Sequence, residues 1–301
     1  MNRRTLLAAA IGSGVGACLA TEFAYAGAIL TGPTFLNTVL LGGTPEVNLQ
    51  AARAAGFDQV ELWTTDVHNA QGGATGARSL IGNLALGLTD YQVLLDFDGA
   101  PGDKRAAKRA EALTMLNTAV AVGASTLLAP ASTDPDCDRA RIGEDITWLV
   151  DEAVRRGLRI AYEGMAWSSI NHSLESAFAV VRDLDPKSAG IVVDSYHLFV
   201  RGETPEALDG IPSDRIFLVQ FSDVAGPVRP TDYKNVARHD RLLPGEGKLP
   251  LRNLVKKLSN IDYRGPVGLE VFNDHLKSSS PEKVAARAYR SLIKLISQDN
   301  K

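Results

Sequence analysis

Beginning near Phe35, one pattern repeats eight times: a short apolar or β-branched run, then an amphipathic helical stretch. The runs fall near Phe35–Leu41, Gln59–Trp63, Gln92–Leu95, Thr126–Ala129, Arg159–Tyr162, Gly190–Val193, Ile216–Phe221 and Val267–Val271. Helical patterns such as Ala106–Val122 and Gly143–Arg156 lie between them. The last helix runs from Pro281 to about Ile296, with proline in its first turn and Ser280 placed to cap it. Regular alternation of strand and helix implies a parallel sheet, and eight repeats favour closure into a (β/α)8 barrel over an open sheet. Gly42-Gly43 after the first run do not make a G-x-G-x-x-G fingerprint, so dinucleotide binding has no support. No linker or low-complexity tract interrupts the series, which predicts a single domain.

The start of the chain differs. Arg3-Arg4 precede an apolar run from Leu6 to about Ala20, and Ala24-Tyr25-Ala26 precede Gly27. A positive start, an apolar stretch of this length and an A-x-A ending describe a secretory signal over residues 1–26 better than a membrane span. The paired arginines and the diluting glycines Gly12, Gly14 and Gly16 fit a twin-arginine signal. Val15-Gly16-Ala17-Cys18 also resembles a lipoprotein cleavage box, which would leave Cys18 lipidated. The expectation is therefore an exported, periplasmic protein or a membrane-anchored lipoprotein. Removing 26 residues from 301 leaves 275 for a catalytic domain over residues 27–301, close to the roughly 250 of a (β/α)8 barrel. Two cysteines, Cys18 and Cys137, rule out a disulfide scaffold. With 45% hydrophobic residues and a net charge of −3, disorder is excluded and a nucleic-acid partner is disfavoured.

In such a barrel the chemistry sits where strands end. All five histidines, His68, His172, His197, His239 and His275, follow a strand run, and none is expected inside a helix. Glu163 closes one apolar run and Asp194 the next, while Gln220 and Glu270 occupy matching places in the last two. They are separated by 31, 26 and 50 residues, one per successive strand. An acid ending a buried apolar strand is costly unless something positive compensates it, and these strand ends carry no lysine or arginine. The pattern calls for a cation. Glu, Asp, Gln and Glu offer only oxygen, which suits one divalent ion such as Mg²⁺ or Mn²⁺ better than zinc, with Co²⁺ also compatible.

These same residues carry a resemblance. Tyr162-Glu163-Gly164-Met165-Ala166-Trp167, Val193-Asp194-Ser195-Tyr196-His197, Phe217-Leu218-Val219-Gln220-Phe221-Ser222-Asp223, the run from Arg238-His239-Asp240-Arg241 to Gly247, and Leu269-Glu270-Val271-Phe272-Asn273-Asp274 resemble the xylose-isomerase-like TIM barrels. More narrowly, they look like the bacterial 3-dehydroshikimate dehydratases. The resemblance spans roughly Leu88 to Leu295; before that it rests on Val60-Glu61-Leu62-Trp63 and Asp66. It implies a metal held by Glu163, Asp194, Gln220 and Glu270, and a lyase that removes water from a cyclic hydroxy-ketone through an enolate. His197 and His239 are the expected base and acid, since histidine titrates nearest neutrality, although His197 could instead support the metal site. Arg238 and Arg241 suit a substrate carboxylate, with Glu61 and Trp167 as further substrate contacts. Trp63, Tyr196 and Phe272 would complete the wall.

Two positions depart from that pattern. Leu95 stands where the dehydratases carry a basic residue, followed by Asp98 in place of Glu. Ser169 stands where they tend to show Arg or His, with His172 nearby. Both changes remove positive charge from the mouth of the pocket, which keeps a sugar or polyol isomerase or epimerase open as a second reading. The oligomeric state is not legible.

Overall fold

A computed structural model describes residues 30–297. Eight strands, β1 (Thr34–Asn37), β2 (Gln59–Trp63), β3 (Gly87–Gln92), β4 (Thr126–Pro130), β5 (Arg159–Glu163), β6 (Ala189–Asp194), β7 (Ile216–Phe221) and β8 (Val267–Leu269), pair in order, and β8 returns to β1 to close the barrel. Every pairing is parallel, as the alternating pattern requires. The expected signal segment lies outside the described residues. Among the described residues no helix is long and apolar enough to cross a membrane.

Two strand assignments shift. β3 ends at Gln92, where a strand had been expected to begin. Its inward residues include Asp90 and Gln92, both buried, so the strand reads as polar although its backbone pairs along β2. β1 stops at Asn37, because the Asn37 side chain accepts from Val39 N and caps a 3-10 turn over Thr38–Leu40. The last helix, Pro281–Ile296, forms as expected. Its start is not capped by the Ser280 side chain, which bonds the Glu282 carboxylate instead. Four of the five histidines lie in or at the end of short helices after the strands, and only His172 is in a loop.

The strand period of two divides the barrel interior into layers. Phe35, Leu128, Ala161, Val192 and Leu218 pack with Phe217 as an apolar floor. Two residues further along the same strands stand Asn37, Pro130, Glu163, Asp194 and Gln220. On four of these five strands a buried hydrophobic residue is thus followed by a functional one above it. Room for the aromatic floor comes from two glycines. A Cβ on Gly268 would come within 2.3 Å of the Phe35 ring, and one on Gly190 within 2.5 Å of Phe217. The outer helices seal the strands with stripes at helical spacing, such as Leu251, Leu254, Val255 and Leu258, and Val284, Ala288, Leu292 and Leu295. Burial of each large aliphatic side chain contributes about 1.5–3 kcal/mol.

Candidate active site

The carboxyl ends of β5 to β8 deliver four oxygen-bearing residues to one region. Register places Asp194 beside Gln220 across β6 and β7, and Glu270 follows β8 with its backbone N–H on Phe221 O. Glu163, His197, Arg241 and Glu270 line a narrow cavity at the barrel mouth, walled by Trp63, Trp167 and Phe272. Ligand atoms of Glu163, Asp194 and His197 lie within 4.8 Å of one another, an arrangement that could hold a metal ion. Arg241 binds the same acids: its Nη1 is 2.7 Å from Asp194 Oδ2 and 3.3 Å from Glu270 Oε2.

The donor set has unmet bonds that a cation would fill. Glu163 Oε1 and Gln220 Oε1 are both buried with no hydrogen-bond partner. Three carboxylates and one guanidinium leave two negative charges, the complement of a divalent ion. The residues fit. His197 is better read as a hydrogen-bond donor than as a third ligand. Its Nδ1 accepts from Ala166 N at 3.1 Å, so the ring proton sits on Nε2, which faces Glu163 Oε1 at 3.7 Å and Asp194 Oδ2 at 3.6 Å. Burial holds this imidazole neutral by lowering its pKa to about 3.

The acids are under electrostatic load. Burial, then the charges of Glu270 and Asp194, push Glu163 well above the usual carboxylate range. Burial raises Glu270 to about 7 even though Arg241 pulls the other way. Both start near 4.5 in the unfolded chain. Across that interval the metal-free native state binds more protons than the unfolded state, so its stability falls as pH rises, by at most about 1.4 kcal/mol per pH unit for each group. The melting temperature in EDTA is therefore expected to decline from pH 6.5 to pH 8, above the range in which the depressed His197 gives an opposing slope, while the increment on adding Mn²⁺ grows over the same range. A melting temperature in EDTA that stays level or rises with pH would contradict this account.

The structure brings some expected residues together and separates others. Arg238 lines the cavity, half-buried, with its guanidinium 5.7 Å from the Trp63 ring and 5.5 Å from Phe272, and it makes no ion pair among the described residues. Trp167 packs edge-on to His197. Arg241 touches the cavity, and its Nε and Nη1 are held by Ala237 O, Asp194 and Glu270, so that it organises the acids. His239 ends the helix Tyr233–His239, whose buried face is Tyr233 and Ala237; its exposed ring pairs with Asp274 and is not among the residues lining the cavity. Glu61, two residues before Trp63, is fully buried against Gln220 and does not line the cavity either. Leu95 lines the cavity, whereas Ser169 is tied to Ser132 O and Asp134 O and is not among the lining residues.

Three site residues escaped the sequence reading. Asn37 Nδ2 donates to Glu270 Oε1 at 3.0 Å, Gln92 lines the cavity, and Asp90 is fully buried opposite Glu61. The signal was available at i and i+2: Asp90 and Gln92 are polar residues alternating on one face of a strand.

A closed parallel barrel with an acidic site at the carboxyl ends of its strands defines the class. The sequence pattern of the family described as "Xylose isomerase-like TIM barrel" matches residues 49–295, and the chain belongs to that family. A 3-dehydroshikimate dehydratase of Pseudomonas putida is 32% identical over 269 residues, covering 87% of this chain. The chain spans only 41% of that relative's length. A solved xylose isomerase-like TIM barrel/4-hydroxyphenylpyruvate dioxygenase fusion protein superposes with a TM-score of 0.82 at 30% identity, covering 88% of this chain and 42% of that one. An inosose isomerase of Bacillus subtilis is 25% identical over 155 residues, about half of each chain.

Proposed function

We propose that this chain is a divalent-metal-dependent lyase that removes water from 3-dehydroshikimate, or from a closely related cyclic hydroxy-ketone, to give protocatechuate or its counterpart. One observation carries the reading. The cavity has oxygen donors at its base, two of them with unmet hydrogen bonds, and on its wall Arg238, which makes no ion pair among the described residues. That polarity matches a substrate with a ketone at one end and a carboxylate at the other. The dehydratase at 32% identity supports the same choice.

Glu163, Asp194, Gln220 and Glu270 would hold the ion, whose bound charge polarises the ketone and acidifies the neighbouring C–H. The chain's own groups do the rest. Arg238, set over the Trp63 and Phe272 rings, orients the substrate carboxylate, and a guanidinium fork suits that shape. The Glu163 carboxylate, which lines the cavity beside His197, receives the proton leaving carbon. Glu163, so protonated, returns that proton to the departing hydroxyl, which the neutral His197 Nε2–H, its Nδ1 held by the Ala166 N–H, steadies by a hydrogen bond, so that water leaves. Trp167 and Phe272 shield the site from solvent.

Mn²⁺-loaded protein supplied with 3-dehydroshikimate is expected to generate the ultraviolet absorbance of protocatechuate, and EDTA to abolish it. Leu95 at the cavity wall favours a second reading, isomerisation of a neutral keto-sugar or polyol, for which the proton is returned and no water lost. Turnover of such a ketose with no change on 3-dehydroshikimate would select it.

A further inference from the structure

Behind the oxygen donors lies a pair of acids that is not among the residues lining the cavity. Glu61 and Asp90 are directly opposed across β2 and β3, and both are fully buried. Asp90 has no hydrogen-bond donor on either oxygen, and Glu61 has none on Oε2. Glu61 Oε1 accepts from Gln220 Nε2 at 2.7 Å. The other end of that amide, Gln220 Oε1, is buried and unpartnered.

We propose that Glu61 is a positioning residue: from behind, its carboxylate fixes the Gln220 amide so that the oxygen, not the NH₂, is presented to the metal. The inference rests on the reading that Glu163, Asp194, Gln220 and Glu270 hold a divalent ion. The physical reason is an asymmetry of donors. A glutamine has two nearly isosteric ends, and only its oxygen can ligate a cation; an acceptor on the opposite side removes the ambiguity. Glu61→Gln would supply an NH₂ that can donate to Gln220 Oε1, letting the Gln220 amide turn over and aim its own NH₂ at the ion.

The test reads Mn²⁺ binding from loss of the free-ion electron paramagnetic resonance signal, with no substrate present. Glu61→Gln is expected to weaken Mn²⁺ binding about 10–100-fold in an otherwise wild-type chain. In a Gln220→Glu background, where both ends of residue 220 are oxygen, the same change should cost less than about threefold. An undiminished affinity in Glu61→Gln, or an equal loss in both backgrounds, overturns the proposal while leaving the metal site intact. Absence of Mn²⁺ binding by the wild-type protein overturns the proposal and the metal reading together. Should Glu61→Gln not fold, the wild-type side-chain amide protons of Gln220, assigned by their disappearance in Gln220→Glu, decide: slow exchange with solvent supports the bond to Glu61, and rapid exchange overturns it.

Discussion

Replacing Glu163 by glutamine is expected to abolish measurable Mn²⁺ binding, to cut turnover on the order of 10³-fold, and yet to raise the melting temperature of the metal-free protein. The two directions have one cause. Glu163 is buried beside Asp194 and Glu270, and the single Arg241 does not neutralise all three. Without an ion these charges repel, as the raised protonation of Glu163 records. Glutamine keeps the shape and removes the charge. At pH 8 in EDTA the relief should be about 1–2 kcal/mol, which for a domain of this size means roughly 2–4 °C. In Mn²⁺ the order reverses, because only the wild type gains binding energy. Differential scanning calorimetry with and without Mn²⁺ reads both. A variant that kept the wild-type metal increment would remove Glu163 from the ligand set.

How much of this was legible in the sequence follows from the period of each element. Strands β5, β6 and β7 carry their acid or amide at the end of an apolar run, so Glu163, Asp194 and Gln220 stand out as polar residues in costly places. The barrel itself was legible for the same reason: eight apolar runs spaced by helical stripes leave few other topologies. β3 was misplaced because its inward face is Asp90 and Gln92, and a strand whose buried side is polar defeats a rule that looks for hydrophobic alternation. The depth of a residue within the barrel was not legible either. Glu61 and Trp63 sit two positions apart on one face, one behind the site and one on its wall, and only the register of β1, β2 and β3 separates them. Arg238 and Arg241 posed the converse problem. Both flank His239 in sequence, but a helical turn sends Arg241 inward to the acids and His239 outward to Asp274. A loop without strand periodicity gives no warning of such a division.

Arg241 sets up the second large effect. Its guanidinium is 2% exposed, donates to Asp194 and Ala237 O, and stacks over Tyr196 at 4.7 Å. Burial alone would weaken its hold on a proton, but Asp194, Glu270 and Glu163 outweigh that and keep it charged. Arg241→Met should retain most of the packing while leaving buried acids without their cation. Breaking one partner out of a buried ion pair costs about 3–5 kcal/mol, and that loss is expected in EDTA at pH 8. Two conditions should return part of it. Lowering the pH protonates Glu270 and Glu163 and removes the repulsion, because both already ionise above their usual range. Adding Mn²⁺ at about 100 times its dissociation constant contributes about 2.7 kcal/mol, and the increment should exceed that of the wild type at equal ion concentration, since the variant site carries one more uncompensated negative charge. A purely structural role for Arg241 predicts neither rescue: the variant would melt early at every pH, with the wild-type response to Mn²⁺. Chemical denaturation at pH 5.5 and pH 8, each with EDTA and with Mn²⁺, separates the two. Recovery under both rescuing conditions would identify the arginine as the fixed counter-charge that lets three acids share one end of the barrel.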